Sequence, residues 1–179
     1  MASPQSLSES DRRVVAGWAA DCAAHVLALF EAEAPDDTRP REAIDRARGF
    51  ARGERGVAEE IRQRFAGGGA ARDVSAPAAV AAARAATQAA AVAHMGAHAL
   101  GAAAYAAKAA GLASPGRSDA VADEIRWQLD QMTPEVAAAL RRLPAVGHDS
   151  AGPLGPGLLG SGLLASIIGE LQRALAAFA

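Results

Sequence analysis

The sequence predicts an all-α fold: a single-domain helical bundle of about six to eight helices, with a Gly/Pro-rich arm and a C-terminal amphipathic helix. Three observations predict this class. Hydrophobic residues make up 51% of the chain but aromatic residues only 4%, so alanine, the strongest helix former, supplies much of the apolar content. Strand-favouring β-branched and aromatic residues are few. Apolar residues also recur at helical spacing, and 179 residues are enough to bury a core.

The first helix is expected to begin after Ser8 or Ser10, which are N-cap candidates, and to run to about Ala34, before Pro35. Its buried face is predicted from one set of apolar residues at helical spacing: Val14, Val15, Trp18, Cys22, Val26, Leu29 and Phe30.

A second helix is expected to begin after Thr38, a candidate cap, and to continue to Phe65. Glycine disfavours helix interiors, so Gly53 or Gly56 is expected to kink this helix. The run from Gly67 to Gly69 is expected to end it.

The pattern from Ala78 to Leu112 is helical and follows a helix start at Ser75 and Pro77. This length fits either one long helix or two consecutive helices that meet near His94. Further helices are expected over residues 118–132 and 133–143. Residues 8–143 are therefore predicted to form the bundle domain.

Residues 144–179 differ in composition from the bundle. Residues 144–162 are rich in glycine and proline and predict a loop or flexible arm. Residues 163–178 predict an amphipathic helix that packs on the bundle or on a partner subunit, and in the second case it would form a homodimer.

Charge and cysteine content exclude several classes of protein. A net charge of −2 argues against nucleic-acid binding, which normally requires a basic surface. The single cysteine, Cys22, excludes an internal disulfide. Residues 1–11 do not resemble a signal peptide, and no uninterrupted apolar run is long enough to predict a membrane span. The expected location is the cytoplasm.

Two pairs of polar residues have the spacing of one helical turn. Asp21 and His25 are four residues apart, and so are His94 and His98. If their helices are neighbours, the four side chains could surround a divalent transition metal, such as zinc, nickel or ferrous iron. The alternative is that these residues are bonded to carboxylates or to the backbone. The cofactor is otherwise unknown.

The same residues support an enzyme alternative, although we favour a protein without catalytic activity. In a small helical enzyme or ligand-binding protein of specialised metabolism, Asp21, His94 and His98 would be the acid–base or metal-binding groups of an inter-helical pocket. Cys22 is expected to be an inert core residue rather than a nucleophile.

A polar turn follows the first helix, and it is the predicted partner-binding surface. The turn combines acidic residues with arginines, which can form bidentate contacts to carboxylate or phosphate groups. Its alternative role is helix capping and salt bridging. The predicted contact residues are Glu31, Asp36, Asp37, Arg39 and Arg41, with Glu33 nearby.

Two stretches resemble the Imm-5-like family of immunity proteins. The first is Trp18-Ala-Ala-Asp21-Cys22-Ala-Ala-His25, continuing through the polar turn to Ile44; the second is Ala93-His94-Met-Gly-Ala-His98, continuing to Ala106. The resemblance implies an all-helical protein that binds and neutralises a partner toxin in a bacterial conflict system. The Gly/Pro-rich arm and the last helix lie outside the resemblance.

Overall fold

The computed structural model describes residues 3–63 and 69–177, which contain eight α-helices and no strand. The all-α prediction is therefore confirmed. The helices are α1 (Glu9–Glu31), α2 (Arg39–Ala51), α3 (Val57–Arg62), α4 (Pro77–Ala91), α5 (His98–Ala113), α6 (Ala120–Asp130), α7 (Pro134–Leu140) and α8 (Gly162–Ala177). Two short 3-10 turns, Pro4–Ser6 and Ala70–Arg72, were not predicted.

Helix α1 begins where the sequence predicts and ends earlier. The Ser8 hydroxyl accepts a hydrogen bond from the Asp11 backbone N–H at 3.1 Å, which is an N-cap. The helix ends at Glu31 and continues into a turn rather than reaching Ala34. Val14, which the spacing places on the buried face, is 38% exposed.

The predicted second helix is two helices. Gly53 has a φ of +79°, in the left-handed region that favours glycine, and here the chain leaves α2 and turns toward α3. Glycine therefore breaks the helix instead of kinking it. The predicted helix end at Phe65 and the glycines Gly67 and Gly68 lie outside the described residues.

Residues 78–112 form two helices, α4 and α5, the second of the two predicted arrangements. The turn between them binds the N-terminal segment: the Gly96 N–H donates to the Ser6 carbonyl at 3.1 Å, and the Ala97 N–H donates to the Gln5 carbonyl at 3.0 Å. A Cβ at Gly96 would lie 2.5 Å from a methyl carbon of Leu7, so the close approach requires glycine.

The core is built on α4 and α5, which pack against each other and against α1. Most of α5 is buried, and 11 of its 16 residues are alanine or glycine. Alanine allows helix backbones to approach closely, and larger side chains of α1 and α2, such as Phe30 and Phe50, are fully buried in the same core.

A buried side chain of the N-terminal segment, Gln5, helps to hold the Gly/Pro-rich segment on the body. The Gln5 amide group donates to the Asp149 carboxylate and the Ala151 carbonyl, each at 2.7 Å, and its oxygen accepts from the Leu154 N–H at 2.9 Å. Gly152 lies against the Gln5 amide group, and its φ of +78° is in the left-handed region that favours glycine.

Helix α8 packs on α5 and also contacts α6 of the same chain. Its apolar residues are buried in this packing: Leu164, Ile167, Ile168, Leu171 and Leu175. The apolar side of the helix is therefore used within the chain. A homodimer through α8 stays a prediction, and it would have to use the opposite side, where Leu163 is 49% exposed.

Helix α1 is long and apolar enough to cross a membrane by length and composition alone. In its most apolar 18-residue window, 56% is buried inside the fold. Core packing against α2, α4 and α5 therefore accounts for much of its apolar character.

Candidate functional site

A histidine and a glutamate from distant parts of the chain meet at the surface. His25 lies on the outer side of α1, and its Nδ1 is 2.8 Å from Oε2 of Glu124 on α6. The His25 side chain is 41% exposed, whereas the Glu124 side chain is 5% exposed. When the imidazole is neutral, the carboxylate selects the tautomer with its proton on Nδ1, which leaves Nε2 as a hydrogen-bond acceptor.

The same imidazole stacks on Trp127. The two ring centroids are 3.6 Å apart and the ring planes differ by 9°. Trp127 follows Glu124 by three residues, so both side chains lie on one face of α6. His25 is thus held through its ring face and through Nδ1, which fixes its orientation.

Gln128 supports the pair from the core. Its amide nitrogen lies 3.2 Å from Glu124 Oε1 and 3.0 Å from the Ala103 carbonyl of α5. Its backbone carbonyl accepts from the Trp18 indole N–H of α1 at 2.9 Å. These bonds tie α6 to both neighbouring helices and position Glu124 under His25.

A groove of about 350 Å³ opens beside the stacked rings, between α1, α5 and α6. Val26, Leu29 and Ala110 contribute apolar wall, and Arg117, Asp123 and Glu124 contribute charge. The described residues that line the groove are His25, Val26, Ala28, Leu29, Ala110, Ala113, Ser114, Arg117, Ala120, Asp123, Glu124 and Trp127.

Among the residues that the structure describes, Arg117 is the only arginine or lysine that lines the groove, and it is paired. It contacts the Asp119 carboxylate at 3.3 Å and also forms an ion pair with Asp123. Hydrogen bonds to Asp119 and then its negative charge raise the pKa of this guanidinium, so it stays charged. Asp123 also binds Arg126 at 2.8 Å.

The structure does not assemble the predicted four-residue metal site. Within residues 3–63 and 69–177, no group of three or more His, Cys, Asp or Glu residues is arranged to hold a metal ion. Asp21 instead accepts from Arg48 of α2 at 3.0 Å, and His25 pairs with Glu124. The alternative prediction, that these residues are bonded to carboxylates or to the backbone, describes His25 better.

His94 and His98 do not lie on one helix. His94 is exposed in the turn between α4 and α5, and His98 is the first residue of α5. His98 Nδ1 lies 2.8 Å from Gln88 Oε1. Burial, with a smaller contribution from His94, lowers the pKa of His98 to about 4, so His98 is neutral at pH 7. No hydrogen bond or ion pair in the described part of the chain joins either histidine to Asp21, the third group of the predicted enzyme site.

Most of the predicted partner-binding residues have partners within the chain. Arg39 bridges Asp37 and Asp73, each at 2.6 Å, and the hydrogen bond from Arg39 holds the pKa of Asp37 below its usual range. Arg41 pairs with Glu31.

Two further carboxylates of this turn differ from each other. Glu33 accepts bonds from the Ser75 N–H at 2.7 Å and the Ala76 N–H at 3.0 Å, and these bonds lower its pKa. It therefore caps the start of α4. Asp36 is exposed and has no ion pair among the described residues.

Sequence reasoning did not identify Glu124 or Trp127 as site residues. Trp127 is half-buried and stacks on His25. One signal was present: Glu124, Trp127 and Gln128 have the i, i+3, i+4 spacing that places polar and aromatic side chains on one face of a helix. Cys22 is fully buried, and burial raises the pKa of its thiol well above the usual value, which suits an inert core residue.

The fold and the groove describe a small all-helical protein with a polar, aromatic-lined surface site. The chain belongs to the family described as "Imm-5 like putative immunity protein", whose model matches residues 5–135. The match covers α1 to α6 and therefore every residue that lines the groove. No curated protein matches the chain, and no solved structure matches it.

Proposed function

We propose that this protein binds a partner toxin and neutralises it by covering a surface that the toxin needs for its activity. The observation that carries the proposal is the stacked His25–Trp127 pair at the surface of the region that matches the immunity family. Half-exposed aromatic side chains beside fixed polar groups are typical centres of protein–protein interfaces.

The contact surface of this proposal runs along the outer side of α1. Asp21, His25 and Ala28 are exposed on one side of that helix. The stripe leads from the groove to the polar turn, where Asp36 is exposed, Glu33 is held by backbone N–H groups, and the other charged residues are fixed by ion pairs. Because these ion pairs hold the side chains in place, binding costs less side-chain entropy.

The charge of this stripe favours a basic partner. Complementary charge increases the rate of association, and carboxylates at the rim of an interface suit a toxin with a basic active site, such as a nuclease. In this mechanism the immunity protein excludes the toxin's substrate sterically and performs no chemical step.

Co-expression tests the proposal. Each toxin candidate encoded beside this gene is expressed with and without the protein, and growth is measured together with complex formation by size-exclusion chromatography. We expect the protein to restore growth against one of these toxins and to form a complex of fixed stoichiometry with it. The His25→Ala and Trp127→Ala variants should restore growth less. Exposed Glu170 on α8 lies outside the stripe, so Glu170→Gln is the matched control. Absence of both rescue and complex formation for every neighbouring toxin would count against the proposal.

A second function, a small enzyme or ligand-binding protein, is favoured by one observation, the His25–Glu124 hydrogen bond. A histidine whose Nδ1 is held by a carboxylate presents Nε2 for proton transfer. In this version of the enzyme hypothesis the acid–base groups are His25 and Glu124 instead of Asp21, His94 and His98. It requires a small molecule to bind in the groove, and a screen of metabolites by thermal shift against wild-type protein and His25→Ala tests it.

A further inference from the structure

The groove contains a carboxylate with no arginine or lysine partner among the described residues. Within the described part of the chain, Glu124 receives hydrogen bonds only from His25 and Gln128, whereas Arg117 binds Asp119 and Asp123. A nearly buried carboxylate is poorly solvated and therefore attracts any cation that enters the groove.

The end of α5 adds negative potential from the other side. Ala110 and Ala113 belong to the last turn of this 16-residue helix and line the groove. The last carbonyls of a helix carry partial negative charge, and a basic side chain commonly offsets it. The last turn of α5 contains no basic residue.

The shape and the surface of the groove suit a planar cation on an alkyl stem. The stacked rings of His25 and Trp127 lie at one side, and a guanidinium group stacks well on such rings. Val26, Leu29 and Ala110 supply apolar wall for methylene groups.

From these three features we infer that the groove receives an arginine side chain of the partner protein. The inference rests on the proposed function, because it names the chemistry of the partner at that contact. A volume of about 350 Å³ is sufficient for one long side chain. Arginine fits better than lysine, since its flat group can stack on the rings and also donate hydrogen bonds to carbonyls. It can donate to His25 Nε2 as well when the imidazole is neutral and that nitrogen is an acceptor.

The first experiment uses the isolated protein and a small probe. N-acetyl-arginine methylamide is titrated into ¹⁵N-labelled protein, and the citrulline analogue, which has the same shape without the charge, is the matched control. We expect saturable shifts of the Trp127 indole N–H and of the Ala110 and Ala113 amides. Citrulline should bind at least about tenfold more weakly, which corresponds to about 1.4 kcal/mol.

A variant tests the role of the carboxylate. Glu124→Gln keeps the shape of the side chain and removes its charge, so affinity for the arginine probe should fall about tenfold. Glu170→Gln should leave affinity unchanged, because Glu170 is exposed on α8 outside the groove. Circular dichroism confirms that each variant is folded. If Glu124→Gln is unfolded, His25→Ala replaces it in the titration, with the same expectation.

Three results would overturn the inference: equal affinity for the arginine and citrulline probes, shifts confined to other surfaces, or no shifts up to the solubility limit of the probe. The outcome is separable from that of the proposed function. Probe binding without protection against any toxin leaves the arginine site in place and removes the immunity proposal. Protection that Glu124→Gln does not change, with no probe binding, removes the arginine site alone.

Discussion

The imidazole of His25 on α1 lies flat on the indole of Trp127 at a centroid separation of 3.6 Å, while its Nδ1 bonds to Glu124, which lies on α6 together with Trp127. Residues 99 positions apart in the chain, His25 and Glu124, thus form one unit across α1 and α6. The unit has two separable interactions, ring stacking and a hydrogen bond to a buried carboxylate, and substitutions can distinguish them.

A double-mutant cycle measures the hydrogen bond. His25→Phe retains a ring that can stack on Trp127, and Glu124→Gln removes the charge of the acceptor. We expect a coupling free energy of about 1 kcal/mol in urea denaturation, lower than for a buried pair because the His25 side chain is 41% exposed. Effects that simply add would show that the bond does not stabilise the fold.

The carboxylates of the polar turn should differ in their effect on stability. Glu33→Ala removes the acceptor that caps the start of α4, so it should lower the melting temperature. Asp36→Ala, at an exposed position three residues away, should not change it.

The effect of Glu33 should also depend on pH. Its folded-state pKa is lowered from 4.5, so its stabilisation is present above that pH and is lost as pH falls through the lowered value. Wild-type protein and Glu33→Ala should therefore converge in melting temperature under acid conditions. An equal loss from Glu33→Ala and Asp36→Ala at neutral pH would contradict the capping role.

Gln5 should control the attachment of the Gly/Pro-rich segment. Gln5→Ala removes three hydrogen bonds and leaves the buried Leu154 N–H without its acceptor, so we expect a loss of about 2–3 kcal/mol in the free energy of unfolding. Hydrogen exchange should rise over residues 147–155. His148→Ala, at an exposed position of the same segment, is the control. Unchanged exchange in Gln5→Ala would show that the segment is held by other contacts.

The helices were predictable because their signals are local. Ser8 caps α1 and Thr133 caps α7 through their own hydroxyl groups, and both are visible in the sequence. The left-handed turn at Gly53 was visible only as a glycine, and the sequence did not show whether this glycine would kink the helix or end it.

The site was not predictable to the same degree, because its contacts are long-range. The four-residue spacing of His94 and His98 places them on one helical face only if a single helix runs through both residues, and here the chain divides into α4 and α5. The backbone between α4 and α5 instead forms hydrogen bonds to residues 5 and 6, and no local sequence pattern predicts this long-range contact. Similarly, His25 was a candidate residue from its sequence, but its partner Glu124 comes from α6, and only the packing of α1 and α6 against α5 brings the two together.

His98 should make stability depend on pH between about 4 and 6.5. Its pKa is about 4 in the folded protein, chiefly because burial disfavours the imidazolium, and 6.5 is the ordinary value that applies in the unfolded chain. Between these values the unfolded chain binds more protons than the folded protein, so the free energy of unfolding rises with pH. The stabilisation is complete above about pH 6.5 and is lost as pH falls toward 4; its full size is about 3 kcal/mol.

His98→Gln removes the titrating group and should flatten this part of the stability profile, measured by urea denaturation at several pH values. Carboxylates with lowered pKa values, such as Asp11 and Asp37, also lose stabilisation in acid, so the difference between wild-type protein and variant is the relevant quantity. His148→Gln, at an exposed histidine, should leave the profile unchanged. Parallel profiles for wild-type protein and His98→Gln would mean that His98 can take up a proton without unfolding, which its burial against Gln88 argues against.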